Sequence, residues 1–460
     1  LVHKTNKPIL PEPLKDLQPV DDENKIITPD QISHLYQIKC TDLDISPNAK
    51  AKTRFINQFS NGIKNKSLFL SGLSLGSSCI KPLLDILATQ PQFINLDLSL
   101  NRIQDVGAKY LAQYLALDPP IICLDLRSNA ISTNGSVMIF KALAKNTHVT
   151  TIDLSSIDGI DRNRIGNQGA TVLASVLTRN DIISSITLST CGVAEEACAY
   201  IGPALAVNKS LIYLDLNANR IGTSGIKQLF SVDNALGVLE YLNLSNNAIG
   251  DQAGPFICKQ LAQNKTLKTL DLSSNNFTRV LLRYLFDAFQ MGTNLTSLSL
   301  ANNKFTSEAP DSFHTLFREF PSIKKFNLSS NPLRDETIEQ IAEAVIVNTN
   351  ITWLDLSDTM MADDGGKKIA EVIETHPTLT YLNLNENRIT DKSGVSIANA
   401  LAKNNVLTTL LMKSNEMKDE SALAFQKALQ VNTTIVEIDL SYNDFSAHAH
   451  CVIKQCITNH

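Results

Sequence analysis

The sequence predicts an α/β solenoid, one strand–helix unit repeated along most of its 460 residues. Three observations carry this. A pattern L-x-x-L-x-L-x-x-N-x-I returns at a fixed interval, as in "FINLDLSLNRI" (93–103), "LIYLDLNANRI" (211–221) and "LTYLNLNENRI" (379–389). Its L-x-L core has period two, which sets both leucines on one face of a short strand. The segment that follows carries apolar residues at helical spacing: Phe256, Leu261 and Leu267 in one repeat, Phe313, Leu316, Phe317 and Phe320 in another. A strand, a helix and a second strand running the same way is the connection that parallel pairing requires. One such unit cannot bury its apolar face alone, so stacked neighbours bury it for each other.

The asparagine slot of the pattern falls at Asn101, Asn129, Asn163, Cys191, Asn219, Asn247, Asn275, Asn303, Asn331, Thr359, Asn387, Asn415 and Asn443. Eleven of the twelve intervals are 28 residues, so the phase is set by structure rather than by chance; 129 to 163 is 34. An asparagine side chain can satisfy backbone groups where a strand turns away, and stacked asparagines make a buried polar ladder. Cys191 and Thr359 are small enough to stand in. This pattern is identified as a leucine-rich repeat covering roughly four fifths of the chain. The repeat length and second halves such as "AGPFICKQLAQNKTL" (253–267) resemble the ribonuclease-inhibitor-like class. That resemblance implies a horseshoe, with a parallel β-sheet on the concave face and α-helices on the convex face.

The six extra residues are local. Ile152 and Leu154 keep the earlier phase and "NRIGNQG" begins the next, which leaves "IDGIDR" (157–162) between strand and helix. Gly159 suits a tight bend there. Both a tolerated surface insertion and a docking loop using Ile160, Asp161 and Arg162 fit this reading.

Three segments are expected. Residues 1–27 hold Pro8, Pro11, Pro13 and Pro19, which preclude regular structure. They read as a disordered tail or an extended arm along a partner. Residues 28–92 read as N-terminal capping helices and degenerate repeats. "TPDQ" (28–31) is a capping box with Thr28 as N-cap, Pro29 at N1 and Gln31 at N3. "SPNAKAKTRFINQF" (46–59) starts a second helix with Phe55, Ile56 and Phe59 inward. "LFLSGLSL" (68–75) puts Leu73 in the asparagine slot, and "IKCTDLDI" (38–45) puts Leu43 there. Residues 93–460 are about 13 repeats of 28 residues. The chain begins at Leu1, which leaves trimming and a longer chain both open. The last helix, "AHAHCVIKQCITNH", carries no long polar cap, so a partner or further chain is expected over the final repeat.

Net charge is −5 and spread evenly, and no apolar stretch is long enough to span a bilayer. Nucleic acid and membrane are therefore not expected as partners. The first residues lack the apolar core of a signal peptide. Eight scattered cysteines suggest reduced thiols in an intracellular chain. Sequons such as Asn208-Lys-Ser and Asn264-Lys-Thr recur at one repeat position, which explains them without glycosylation. No metalloprotease helix, nucleophile elbow or CxxC pair occurs, and "SLGSS" (74–78) lacks the rest of a phosphate loop. His448, Cys451 and Cys456 form the one His/Cys cluster and read as exposed terminal residues. No catalytic residue, cofactor or metal is expected.

Residues flanking the core leucines point to the concave face. One row runs Asp97, Asp125, Asp153, Thr187, Asp215, Asn243, Asp271, Ser299, Asn327, Asp355, Asn383, Leu411 and Asp439. Its carboxylates are either the common form of this repeat or a field that favours basic partners. Two residues earlier, Tyr213 and Tyr241 occupy adjacent rungs, as do Trp353 and Tyr381, with Leu411 nearby. Such aromatics are typical partner anchors. The expected function is a non-enzymatic protein–protein interaction scaffold binding by its concave face and rim. The resemblance extends to ribonuclease inhibitor, NOD-like receptor repeat domains, tropomodulin-like proteins and the leucine-rich-repeat subunit of the axonemal nexin–dynein regulatory complex. It implies a cytoplasmic protein in a cytoskeletal, ciliary or flagellar assembly. One alternative resembles the Ran GTPase activator: Arg102, Arg162 and Arg164 lie in turns, though none maps onto that family's motif. Another is a microbial effector or receptor-type repeat protein.

Overall fold

The computed structural model describes residues 28–44, 46, 49–157, 159–308, 310–320 and 322–459; the arm expected at 1–27 lies outside the described residues. Among the described residues, fourteen parallel strands of three residues each form one sheet in strict chain order, from Ser67–Phe69 to Glu437–Asp439. Helices return the chain between strands. Cα partners follow the repeat: Leu96 lies opposite Leu124, Leu354 opposite Leu382. Across the longer repeat Thr151 pairs with Ser185 and Ile152 with Ile186, so the six added residues leave the strand register intact.

The core lies between sheet and helices. The two leucines of each strand turn inward and are essentially inaccessible, as Leu382 and Leu384 show. Helix Asp391–Lys403 meets them with Ile397, Ala398 and Leu401. Phe313, Leu316, Phe317 and Phe320 are buried as their spacing predicts. Leu267 is buried too, but lies beyond helix Gly254–Gln263, in the descent to the next strand. Helices are tied to one another at their starts. Asp363, in the first turn of one helix, accepts from Thr390 N–H, Thr390 O–H and Ser393 O–H at the start of the next. Burial alone would raise its pKa, yet these bonds hold it below the usual carboxylate value.

Two buried side-chain ladders close the solenoid. On the strand side, Asn129 donates to the carbonyls of Leu98 and Leu126, and accepts from Asn101 N–H at 3.0 Å. Asn163 repeats this across the longer interval, donating to Leu126 and Leu154 and accepting from Asn129 and Ile131 N–H. Equivalent carbonyl bonds recur at Asn219, Asn247, Asn275, Asn303, Asn331, Asn387, Asn415 and Asn443. Cys191 Sγ reaches Leu154 O and Ser189 O; Asn163 N–H, which would need its missing acceptor, donates to Ser156 Oγ at 2.9 Å instead. Thr359 donates to Leu356 O.

The second ladder, at the helix ends, uses Asn146, Asn180, Asn208, Asn264, Asn348, Asn404 and Asn432, all buried. Asn208 donates to Leu177 O and Asn180 O and accepts from Ser210 and Leu211 N–H. The sequons at Asn208 and Asn264 are thus structural amides. His376 stands in this row. Its Nε2 faces Asn348 O at 3.0 Å and its Nδ1 accepts from Thr378 and Leu379 N–H. The ring is therefore a neutral Nε2–H tautomer, and burial holds its pKa below the ordinary histidine value.

At the N-terminus the capping box forms as spelled: Thr28 Oγ1 accepts from Gln31 N–H, and Gln31 Oε1 accepts from Thr28 N–H. The helix it starts runs Pro29–Asp42, which corrects the reading of "IKCTDLDI" as a degenerate repeat. Ile32, Tyr36 and Cys40, four apart, form its buried stripe, and helical spacing wins over the apparent alternation. Helix Ala49–Gly62 buries Phe55 and Phe59, with Ile56 partly covered. "LFLSGLSL" does open a rung, Leu68 opposite Leu96.

Candidate protein-binding face

The concave sheet presents the first and third residue of each strand, because the middle residue and the leucine after the strand point inward. The third-residue row is mostly committed to the fold. In ten rungs an Asp or Asn Oδ1 accepts from the N–H two residues on, as Asp97 does from Ser99 and Asp355 from Ser357. Burial raises Asp97, Asp215, Asp271 and Asp355 above the usual carboxylate range and Asp153 to about 6. Arg127 bridges Asp125 and Asp153 within the row. These carboxylates hold strand-end turns before they meet any ligand.

Leu411 breaks that pattern and has no acceptor to offer. The N–H it would have served, on Lys413, donates to Asn385 Oδ1 of the preceding rung at 2.7 Å. A neighbour thus supplies the bond that an apolar residue here removes.

The first-residue row holds the aromatics. Tyr213 and Tyr241 pair across adjacent strands and stack with centroids 4.2 Å apart and planes 7° apart. Trp353 and Tyr381 stack at 4.8 Å and 11°. All four are half-buried rather than fully exposed, each ring covering its neighbour and the sheet. Burial raises every phenol, Tyr213 and Tyr381 to about 12, so all stay protonated at neutral pH. Leu411 sits opposite Asn383, diagonal to Tyr381 and one rung on.

Tyr442 carries no signal in the L-x-L pattern, and only its solvent exposure reveals it. It precedes Asn443, at a position left-handed in twelve rungs, from Leu100 (φ 59°) to Tyr442 (φ 56°). Most rungs place small or polar residues there. Tyr442 is aromatic, 75% exposed, and has Lys413 Nζ 4.9 Å from its ring centroid.

The inserted loop does not stand free. Asp161 binds Arg102 Nε at 2.7 Å, its carbonyl accepts from Ala130 N–H, and Ser128 Oγ accepts from Ile157 N–H. The loop folds back over the two preceding rungs, with Gly159 at φ 80°. Asp161 is thereby engaged inside the chain, and Arg102, one of three arginines weighed for a GTPase-activating role, is its partner. Ile157 and Ile160 remain exposed; Arg162 also takes part in an interaction within the chain.

Among the described residues no group of three or more His, Cys, Asp or Glu is arranged to hold a metal ion. His448 and Cys451 are exposed, and nothing is described of the Cys456 side chain. No described helix is long and apolar enough to cross a membrane.

The family described as "Leucine Rich repeat" matches residues 94–112, 207–230, 238–258, 263–279, 347–370 and 375–398, and a second of the same description matches 294–316. Ribonuclease inhibitor of Sus scrofa is 30% identical over 115 residues, 25% of this chain and 25% of that protein. NACHT, LRR and PYD domains-containing protein 13 of Homo sapiens is 28% identical over 144 residues, 30% of this chain and 14% of the relative. The chain thus matches only a minor part of each relative's length. Among solved structures, an internalin from Listeria monocytogenes covers 94% of this chain and 97% of its own, at 15% identity and a TM-score of 0.43. The fold and face define a repeat protein suited to protein–protein interaction. The chain carries leucine-rich repeats over the matched residues, and a quarter of it is similar to ribonuclease inhibitor.

Proposed function

We propose that the chain is a non-enzymatic interaction scaffold that takes a protein partner on its concave sheet, inside a larger cytoskeletal or axonemal assembly. The observation that carries the binding reading is the Trp353–Tyr381 stack, a pair of half-exposed aromatic faces on a rigid sheet. Large rings lose little conformational freedom on binding and offer much area, which is why they dominate interface energetics. The two ladders fix the rungs that display them, so little ordering is left for the moment of association. The placement in a cytoskeletal or axonemal assembly rests on the resemblance of the repeats. Crosslinking mass spectrometry with the full chain in native cell extract tests this. The expected result is a saturable protein partner crosslinked to concave lysines, from a cytoskeletal or axonemal complex. Absence of any saturable protein partner overturns the scaffold; a partner from elsewhere overturns the placement.

A further inference from the structure

Four large apolar side chains of the C-terminal concave face fall along one diagonal, with Lys413 between the last two. Trp353 and Tyr381 are neighbours in the first-residue row. The next rung continues at Leu411, two residues further along its strand. Lys413 then leads to Tyr442, with its Nζ over that ring. From Trp353 to Tyr442 the track crosses three inter-strand steps and about five residues of strand length, about 20 Å in all.

Two features of this track depart from what the repeat requires. Leu411 forgoes a turn hydrogen bond that Asn385 then supplies. Tyr442 places an aromatic at a left-handed backbone position, where a bulky side chain is disfavoured, and leaves it 75% exposed. Neither departure adds to the buried core.

The rim beside the track is acidic. Asp358, Glu386, Glu416 and Asp444 follow one another on successive rungs, and Glu437 lies on the far side, all exposed. Lys325, Arg388 and Lys413 are the opposing charges, and Lys413 is occupied over Tyr442.

We propose that this diagonal seats a basic amphipathic helix of a partner protein, with the helix's apolar stripe on Trp353, Tyr381, Leu411 and Tyr442 and its lysines or arginines toward the acidic rim. The proposal rests on the scaffold reading and names its partner's chemistry. A helix is favoured over an extended segment for a physical reason. Of the four rungs only the last, Glu437–Asp439, has an open side; Trp353–Asp355, Tyr381–Asn383 and Thr409–Leu411 are each paired on both sides, so no strand can pair under Trp353, Tyr381 and Leu411. A helix satisfies its own backbone and can bury apolar area without stranding polar groups. A stripe of about 20 Å corresponds to about 14 helical residues, or four turns.

Trp353 is the sole tryptophan, so its emission reports directly from the track. The probe is a synthetic helix of about 18 residues with a leucine stripe and a lysine/arginine polar face, titrated into the full chain. Two controls keep the stripe with a glutamate polar face, or keep the basic composition with the stripe scrambled. The expected result is a saturable change in Trp353 emission with the basic helix alone, weakening as salt rises. Leu411→Asn and Tyr442→Ala each weaken it about fivefold or more, while Tyr213→Ala leaves it unchanged. No saturable response, equal binding of either control, or equal loss on Tyr213→Ala overturns the proposal. If partner crosslinks from native extract map to the Tyr213–Tyr241 rungs of the same sheet, this inference falls and the scaffold reading stands.

Discussion

The two stacked pairs look alike and differ in what surrounds them. Tyr213 and Tyr241 stack more closely, at 4.2 Å, and the row beside them is polar: Asp215, Asn243 and Asp271. Nothing apolar continues from that pair along the third-residue row. Trp353 and Tyr381 stack at 4.8 Å and continue into Leu411 and Tyr442. On the proposed reading the first pair mainly roofs its own sheet and the second begins the partner surface, the difference between them being the apolar residues Leu411 and Tyr442 that follow it.

The largest effect comes from breaking the sheet beneath the second pair. Leu382 is fully buried between rungs, so Leu382→Asp strands a charge in the core and is expected to cost about 4 kcal/mol or more. Because repeats depend on their neighbours, Trp353 emission should become that of an unfolded rung at lower denaturant than helical circular dichroism as a whole. Emission and dichroism that both keep the midpoint of the unaltered chain would show that the assigned repeat phase is wrong.

Next in size is the comparison of the pairs themselves. Trp353→Ala with Tyr381→Ala should weaken partner capture by more than about tenfold, roughly 1.4 kcal/mol, and leave the dichroism spectrum unchanged. Tyr213→Ala with Tyr241→Ala should lower the unfolding midpoint but change capture less than about threefold. Equal losses of capture from the two double variants would erase the distinction.

A third difference is protonation. Five residues before Tyr213 the helix-end ladder uses Asn208; at the same place before Tyr381 it uses His376. Its Nδ1 must stay unprotonated to accept from Thr378 and Leu379. Its pKa is depressed by burial, with no charged side chain among the causes. The unfolded chain takes up this proton near the ordinary value of about 6.5 and the folded chain does so only lower. This contribution to stability is present above about 6.5 and is lost as pH falls below it toward the folded value. His376→Asn should flatten that part of the profile. An unchanged acid profile in urea unfolding would show that His376 is not the sensitive rung. Asp153 works the other way. With a folded value of about 6, its ionisation burdens the fold as pH rises through that value, so Asp153→Asn should raise stability at pH 7.

The smallest effect is expected at the inserted loop. Arg102→Ala removes an exposed ion pair to Asp161 and should leave the unfolding midpoint essentially unchanged. It frees the loop over the first rungs, away from both aromatic pairs. A change in partner capture would bring that rim into the binding face.

The repeat phase was legible because it is local: one interval of 28 and one of 34 place every strand pair from Asn95 onward. The helix-end ladder carries the same two intervals, from Asn146 to Asn180 to Asn208, but in the sequence only its sequons stand out. Substitution by Leu236, Gly292, Phe320 and His376 hides it from a reading that follows leucines. "IKCTDLDI" misled because a short alternating stretch fits both periods, and the cap at Thr28 decides for the helix. The stacked pairs were visible as adjacent rungs. The diagonal was not, because Tyr442 and Asn385 acquire meaning only when neighbouring rungs are laid side by side.

The central claim, that the C-terminal concave track rather than the other stacked pair receives the partner, is tested most directly by a photoreactive phenylalanine analogue placed at Tyr381 or at Tyr213 in otherwise unchanged full chains. After irradiation in native extract, the account predicts a partner adduct from position 381 and none from position 213. An adduct from 213 alone, or equal adducts from both, would contradict it.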